Sequence, residues 1–353
     1  MVDVLGYDVG GANTKAAFVS AKNGKLLNAE VAVEYFPVWK QPEKLASILL
    51  TLKQRLGARK LDGVGLTMTA ELSDAYQTKR EGVNQILGFV KQAFPDVPIY
   101  VLNTNANLEP LDIANQEPLR VAAANWAATG WLVAQRLKNC VVVDVGSTST
   151  SIIPIVNGQV VARGKTDLDK LICGELVYTG SLRTNVVAIV QSIPIRNGVA
   201  GVASELFALS GDIHIILGNI TGKDYTSETA DGRGKTVPEA LARLARVVCA
   251  DTEMLTRQEI INMAQYIYAK QIRQVAEGLT KVYSYAKSLC SGKVPVVVTG
   301  LGKNFIARKA AELVSVDAIV DLGTLLPEKA VLATPAFGVA LMTANKLEGE
   351  PPK

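Results

Sequence analysis

The chain has 353 residues, enough for two domains, with 48% hydrophobic and 20% charged residues, a globular rather than a disordered composition. Its net charge is +4 without any Lys/Arg block, which argues against nucleic acid as a partner. Four separated cysteines (Cys140, Cys173, Cys249 and Cys290) form no Cys-x-x-Cys pair, so neither a zinc site nor a disulfide framework is expected, and a reducing cytoplasm is.

The N-terminal strand carries acids at Asp3 and Asp8 and no basic leader. The longest apolar stretch, 121–134, is shorter than the ~20 residues a membrane span needs, so a soluble protein without a membrane partner is expected. The single histidine, His214 in "GDIHIIL", reads as structural; Ser-His-Asp or Cys-His chemistry would have to use it and no Gly-x-Ser-x-Gly or similar nucleophile context is present, and the lack of further histidines excludes a histidine-ligated metal centre.

In chain order, strands are predicted over 2–8 and 14–20, joined by a glycine pair, and over 25–34. A helix follows at 42–56, a buried strand at 61–69, a helix at 82–94, a strand at 98–103 and a small-residue helix at 121–137. The chain then starts over. "NCVVVDVGSTSTSIIPIVNGQVV" (139–161) repeats the strand, turn, strand and Asn-Gly order of "VDVLGYDVGGANTKAAFVSAKNGKLL" (2–27), aligning Asp8-Val9-Gly10 with Asp144-Val145-Gly146. The polar, loop-rich segment 164–235 reads as an inserted substrate region. Helices are expected at 237–249 and 256–289, a strand, glycine turn and helix over 293–313, a short strand at 316–322 and a small-residue helix at 334–345.

Backbone N–H groups can cradle phosphate only where the chain comes close, which glycine permits. In "DVGGANTK" (8–15), Gly10, Gly11, Asn13 and Thr14 supply such a turn, and Lys15 adds positive charge. An aspartate beside phosphate makes sense when Mg²⁺ lies between them, so Asp8 and Asp144 are the candidate metal ligands. "DVGSTST" (144–150) offers Gly146, Ser147 and Thr148 without the lysine. In "VVVTGLGKNFIA" (296–307), Gly300 and Gly302 end a strand and open a helix. Phe305 occupies the third position of a dinucleotide fingerprint, so that reading fails. Each piece alone reads as a structural turn; the three in this order are far more specific.

That order resembles the actin-like ATPase, sugar kinase and Hsp70 superfamily over the whole chain. The resemblance implies an α/β, two-domain actin-like ATPase (ribonuclease H-like) fold with a ligand cleft between domains. Residues 1–137 would form the first domain, rejoined by the helix at 334–345, and 138–333 the second, with the insertion at about 164–235. Gly130 and Gly338 are candidates for a close helix contact at the hinge.

"DVGGANTKAA", "AAANW", "VDVGSTST", "GELVYTGSLRTNV", "TADGR" and "RLARVVCAD" together resemble the hydantoinase A/oxoprolinase branch, and within it a tetrahydromethanopterin-linked one-carbon group; Asn13 fits that subgroup. The family includes a synthase of methanofuran biosynthesis. The resemblance thus implies condensation of an aminomethylfuran-methyl diphosphate with the phenol oxygen of a tyramine-glutamate unit, with diphosphate released. The glycine hairpins, Mg²⁺ at Asp8 and Asp144, and Lys15 would neutralise the leaving group without ATP. Glu175 is placed with the catalytic residues, and Asp167, Asp212 and Asp231 are further candidates for a base. Arg183 and Arg233 could hold carboxylate or phosphate, and Tyr178 or Trp126 could pack on an aromatic ring, though Trp126 fits a core better. The ligand expected is a small phosphorylated molecule; a homodimer is left open. An ATP-dependent kinase, an ATP-dependent cyclic-amide hydrolase and a nucleotide-sensing protein of the Hsp70 kind stand as alternatives.

Overall fold

The computed structural model describes residues 1–349, and in it each glycine hairpin opens its own compact unit. The first unit takes Met1–Asn139, Ile155–Asp169 and the chain from Leu322; the second takes Cys140–Pro154 and Lys170–Asp321.

The first unit begins with β1 (Val2–Val9), β2 (Asn13–Lys22) and β3 (Lys25–Tyr35). β2 and β3 join through Asn23-Gly24, both in the left-handed region that a two-residue hairpin turn requires. Then come α1 (Leu45–Arg55), β4 (Gly63–Met68), α2 (Lys79–Ala93), β5 (Ile99–Leu102), β6 (Leu108–Pro110), α3 (Leu111–Gln116) and α4 (Asn125–Ala134). The sheet order is β3-β2-β1-β4-β5-β6. β1 is antiparallel to β2 and parallel to β4, and both its faces are covered, so every residue from Val4 to Val9 is buried, Asp8 included. α1 buries Leu45, Leu49 and Leu52, and α2 buries Val83, Ile86, Leu87 and Val90. α2 starts earlier than its apolar spacing suggests because the Thr78 hydroxyl accepts the Glu81 N–H. The helix expected over 121–137 is shorter, since Ala123 holds a left-handed conformation just before it.

The second unit repeats this plan. β7 (Cys140–Val145), β8 (Thr150–Val156) and β9 (Gln159–Val160) echo the first three strands, with Asn157-Gly158 as the second left-handed turn, although that turn, β9 and the end of β8 group with the first unit. Next are α5 (Asp167–Cys173), β10 (Leu176–Val177), β11 (Ser192–Ile195), β12 (Gly198–Gly201) and α6 (Ser210–Ile216). So the segment expected to be loop-rich carries several short elements. α7 (Val237–Arg246), the 33-residue α8 (Arg257–Leu289), β13 (Val296–Thr299), α9 (Arg308–Val314) and β14 (Ile319–Asp321) complete it. The order is β10-β8-β7-β13-β14, with β7 joined to its neighbour β8 through the short turn after Val145 and parallel to β13. Among the described residues no helix is long and apolar enough to cross a membrane.

The chain from Leu322, with α10 (Glu328–Leu332) and α11 (Thr334–Leu347), groups with the first unit. Residues 155–169 also group there, unlike the expected single cut near 138. The Gly158 N–H donates to Lys138 O at 2.7 Å and the Asn157 N–H to the Asn139 side chain at 2.8 Å, which holds this turn to the end of the first segment. α11 lies on the sheet where β1 and β4 carry Gly6, Gly63 and Gly65; a Cβ at Gly6 would collide with Ala336 O. Gly338 does pack closely, its Cβ position 2.9 Å from Ala128 O, but α4 and α11 belong to the same unit, so this contact is internal to it and not a hinge.

Candidate active site residues

In the first unit, strand register sets Asp8 of β1 level with Lys15 of β2 on one side and Thr67 of β4 on the other. Asp8 is buried, and the hydroxyls of Thr14 and Thr67 are buried without a hydrogen-bond partner. The hairpin closes through the Gly10 N–H, which donates to Asn13 O at 3.0 Å. The Gly11 and Ala12 carbonyls accept from Val38 and Phe36 at 2.9 and 3.0 Å, while among the described residues the N–H groups of Gly11 and Ala12 donate to no protein acceptor. Nothing lies within 4 Å of a Cβ built on Gly11. Carbonyls tied down and amides free is the arrangement an anion cradle needs.

Beside it, the Thr69 N–H donates to Val9 O at 2.9 Å, so the end of β4 abuts the hairpin. A single 3₁₀ turn over Ala70–Leu72 then buries Glu71 to 1% exposure. No side chain is within hydrogen-bond distance of the Glu71 carboxylate, and the Lys79 ammonium is 3.9 Å away. Burial pushes the Glu71 carboxyl up to about 7; its own peptide N–H, Lys79 and the Ala123 peptide N–H pull against that shift, and the Asp167 charge adds to it. Lys79 is ion-paired with Asp167, an expected candidate base. Sequence reasoning passed over Glu71 and Lys79. The available signal was a lone carboxylate among small residues in "TMTAELS", just past a buried strand.

In the second unit, Asp144 of β7 is level with Thr299 of β13, whose hydroxyl is again buried without a partner. The Gly146 N–H donates to Ser149 O at 2.9 Å, the same closure as in the first hairpin, and among the described residues the N–H groups of Ser147 and Thr148 donate to no protein acceptor. Here the support is denser. Ser181 N–H donates to Gly146 O, and Leu182 and Arg183 N–H to Ser147 O, at 2.9 to 3.0 Å. The Arg183 guanidinium reaches the Thr148 hydroxyl at 3.4 Å. A Cβ on Gly180 would stand 2.6 Å from the Thr148 carbonyl carbon.

The glycine turn joins the same cluster. Gly300 is left-handed, and its Cβ position is 2.6 Å from Asp144 Oδ1. Gly302 N–H donates to Val145 O at 3.0 Å, and its Cβ position is 2.6 Å from the buried, unpartnered Ser181 hydroxyl. The helix that follows opens as a π-turn over Lys303–Ala307, a form often found at functional sites.

Several expected residues lie elsewhere in this unit. Asp212 is fully buried, takes two hydrogen bonds from Arg243 at 2.7 and 2.9 Å and one from Leu209 N–H, and so braces the fold instead of meeting a substrate. Asp231 is likewise held by Arg243 and Arg246 at 3.1 and 3.2 Å. Arg233 is exposed and its N–H donates to Asp231. Glu175 is fully buried with its carboxylate 3.9 Å from the equally buried Lys170 ammonium, so no base faces solvent there. Tyr178 is exposed, whereas Trp126 is buried in α4, a core residue of the first unit. His214 is structural: it is buried between Gln271 and Asn219, and burial lowers it to about 3. Gln271 in turn donates to Thr179 Oγ1 and Gly180 O at 2.9 Å, carrying that support to the second hairpin.

A family model described as hydantoinase/oxoprolinase matches residues 62–346. The (4-{4-[2-(gamma-L-glutamylamino)ethyl]phenoxymethyl}furan-2-yl)methanamine synthase of Methanocaldococcus jannaschii is 39% identical over 346 residues, 98% of each chain. The protein of the same name from Methanococcus vannielii is 36% identical over 215 residues, 60% of this chain and 94% of its own. Among solved structures, nucleotide-free acetone carboxylase aligns with a TM-score of 0.51 at 11% identity, covering 96% of this chain and 69% of that one, a likeness of fold alone.

Proposed function

The chain belongs to the hydantoinase/oxoprolinase family, and from that premise we propose that it is a transferase of methanofuran-type cofactor biosynthesis that condenses an aminomethylfuran-methyl diphosphate with the phenol oxygen of a tyramine-glutamate acceptor, releasing diphosphate. The observation that carries this reading is the 39% identity, over 98% of both chains, to a synthase whose printed name contains the phenoxymethyl-furan ether.

The geometry suits the demand of such a reaction. An electron-rich furan stabilises positive charge on its methylene carbon, so the barrier lies largely in neutralising the departing diphosphate. Free amides at Gly11 and Ala12 in one hairpin, and at Ser147 and Thr148 in the other, are preorganised donors for phosphate oxygens. Lys15, level with Asp8, and Arg183, which reaches the Thr148 hydroxyl, supply a positive charge to each hairpin.

Mg²⁺ fits the donor set. It binds through one or two carboxylates plus waters and phosphate oxygens, so it does not need the three-carboxylate cluster that is absent among the described residues. Asp8 or Asp144 would hold it, with the unpartnered Thr67 and Thr299 hydroxyls at the same sheet level for bound waters. Bound there, it would offset the charge of the leaving group.

The test is to incubate the protein and Mg²⁺ with the furan-methyl diphosphate and a phenolic amine, and separately with ATP and the acceptor. Ether formation matched by diphosphate release without ATP is expected. ADP formation that depends on the acceptor would overturn the reading in favour of a kinase.

A further inference from the structure

Ether formation takes a proton from the acceptor phenol, and the carboxylates expected to receive it are committed elsewhere. Asp212 and Asp231 are bound by arginines, and Glu175 is sealed beside Lys170. One buried carboxylate differs in its partner: Lys79 stands 3.9 Å from Glu71, as Lys170 does from Glu175, but Lys79 is 26% exposed where Lys170 is 2%. Glu71 lies two residues beyond Thr69, whose N–H is bonded to the first hairpin's strand, and no side chain is within hydrogen-bond distance of its carboxylate. The turn that carries it is pressed against α2, where a Cβ on Gly82 would stand 2.5 Å from Glu71 O.

We propose that Glu71 receives the acceptor's proton through Lys79, with Asp167 fixing the Lys79 ammonium in place. This inference rests on the ether-forming reading above. Lys79 is partly exposed and Glu71 is not, so Lys79 is the member a substrate can reach, and Glu71 is a positioning residue that acts through it. In the step, the phenol O–H bond breaks and its electron pair stays on oxygen. That oxygen bonds to the furan-methyl carbon as the carbon–oxygen bond to diphosphate breaks, its pair leaving with diphosphate. Lys79 Nζ first closes the 3.9 Å gap and passes an ammonium proton to Glu71, and the lone pair so freed on Nζ then takes the phenol proton. Glu71 becomes a neutral acid and later returns the proton to water.

A carboxyl raised to about 7 suits this task, since it accepts a proton near neutrality and holds it without strain. The charges acting on it are Lys79 from α2 and Asp167 from α5. Arg120, in the turn packed on α2, is paired with Glu109 and Glu117, and the Tyr76 phenol is buried in the connecting turn.

Two measurements on the full-length protein test this. The first compares the pH dependence of ether formation in wild type, Glu71→Gln and Glu71→Asp. Glu71→Gln is expected to fold, keep KM within about twofold, lose roughly 10²–10⁴-fold in kcat and lose the pH limb near 7, while Glu71→Asp recovers part of the rate with a limb. A Glu71→Gln enzyme that keeps both rate and limb overturns the proposal. The second needs no substrate: infrared difference spectra of wild type against Glu71→Gln should show a carboxyl titrating between roughly pH 6 and 8. No such band overturns the proposal whatever the kinetics show. A wild type that forms no ether overturns the functional reading and the phenol step with it, while the infrared titration reports separately on Glu71.

Discussion

The two hairpins share a closing hydrogen bond, a strand-end aspartate and a neighbouring unpartnered threonine, yet they are built to different stiffness. The first is held by two hydrogen bonds from residues 36–38, and Gly11 looks into open space. The second is clamped by residues 180–183, by Gly302 and, through Gln271, by a buried histidine. The same local sequence therefore becomes an adaptable cradle in one unit and a braced one in the other. What differs is not the turn but what packs behind it.

The comparison fails most visibly if the aspartates are not equivalent. Asp8→Asn and Asp144→Asn are each expected to fold and to lose about 10³-fold or more in turnover, ~4 kcal/mol of barrier. Full activity in either, measured as ether formed per enzyme, would remove that hairpin from the reaction. Next come the glycines. Gly180→Ala drives a methyl into the hairpin backbone and should cost about 2–3 kcal/mol of stability. Gly11→Ala should change stability by less than about 1 kcal/mol, yet lower activity by placing a methyl beside the free amides. Equal losses of melting temperature in the two variants would contradict the difference in bracing.

The units should also respond to pH with opposite sign. His214 is held near 3, below its ordinary 6.5, so its contribution is complete above pH 6.5 and is lost as pH falls toward 3, at about 1.4 kcal/mol per pH unit. Glu71 is held near 7, above its ordinary 4.5, so stability is greatest below pH 4.5 and falls as pH rises to about 7. Denaturant melts across this range should show that His214→Gln flattens the first slope and Glu71→Gln the second. The smallest effect belongs to the threonines. Thr67→Val and Thr299→Val each remove a buried hydroxyl with no partner, so stability should hold or rise by up to about 1 kcal/mol. Activity should fall about tenfold if those hydroxyls serve a bound ligand, ~1.4 kcal/mol, and unchanged kinetics would assign them to packing alone.

Features set by neighbouring residues were readable in the sequence. The glycine hairpins, the Asn-Gly turns and the repeated strand pair depend on local backbone preferences, and all appear close to their expected positions. Thr67 and Thr299 were not readable as site residues. Each meets its aspartate only through strand register, and 155 residues separate Asp144 from Thr299, a pairing no local pattern encodes. Glu71 was hidden for a related reason: its environment is made by α2, by Asp167 and by the strained Ala123 segment, all distant in sequence. The acidic candidates in the second unit looked reactive because sequence shows a carboxylate but not the arginine that neutralises it.

The return of α11 to the first sheet bears on how the protein is made. β1 and β4 present glycines where other strands present side chains, so that face has nothing of its own with which to cover itself. Its cover is the last helix described, some 270 residues after β4. At about 5–20 residues per second, a ribosome needs roughly 15–50 s to deliver it. During that interval the emerging first sheet is an incomplete body with an apolar face, while the second unit, apart from the short turn lent to its neighbour, can finish. The half of the molecule synthesised first is thus the half that matures last, and its exposure to chaperones is set by the speed of translation rather than by its own folding rate.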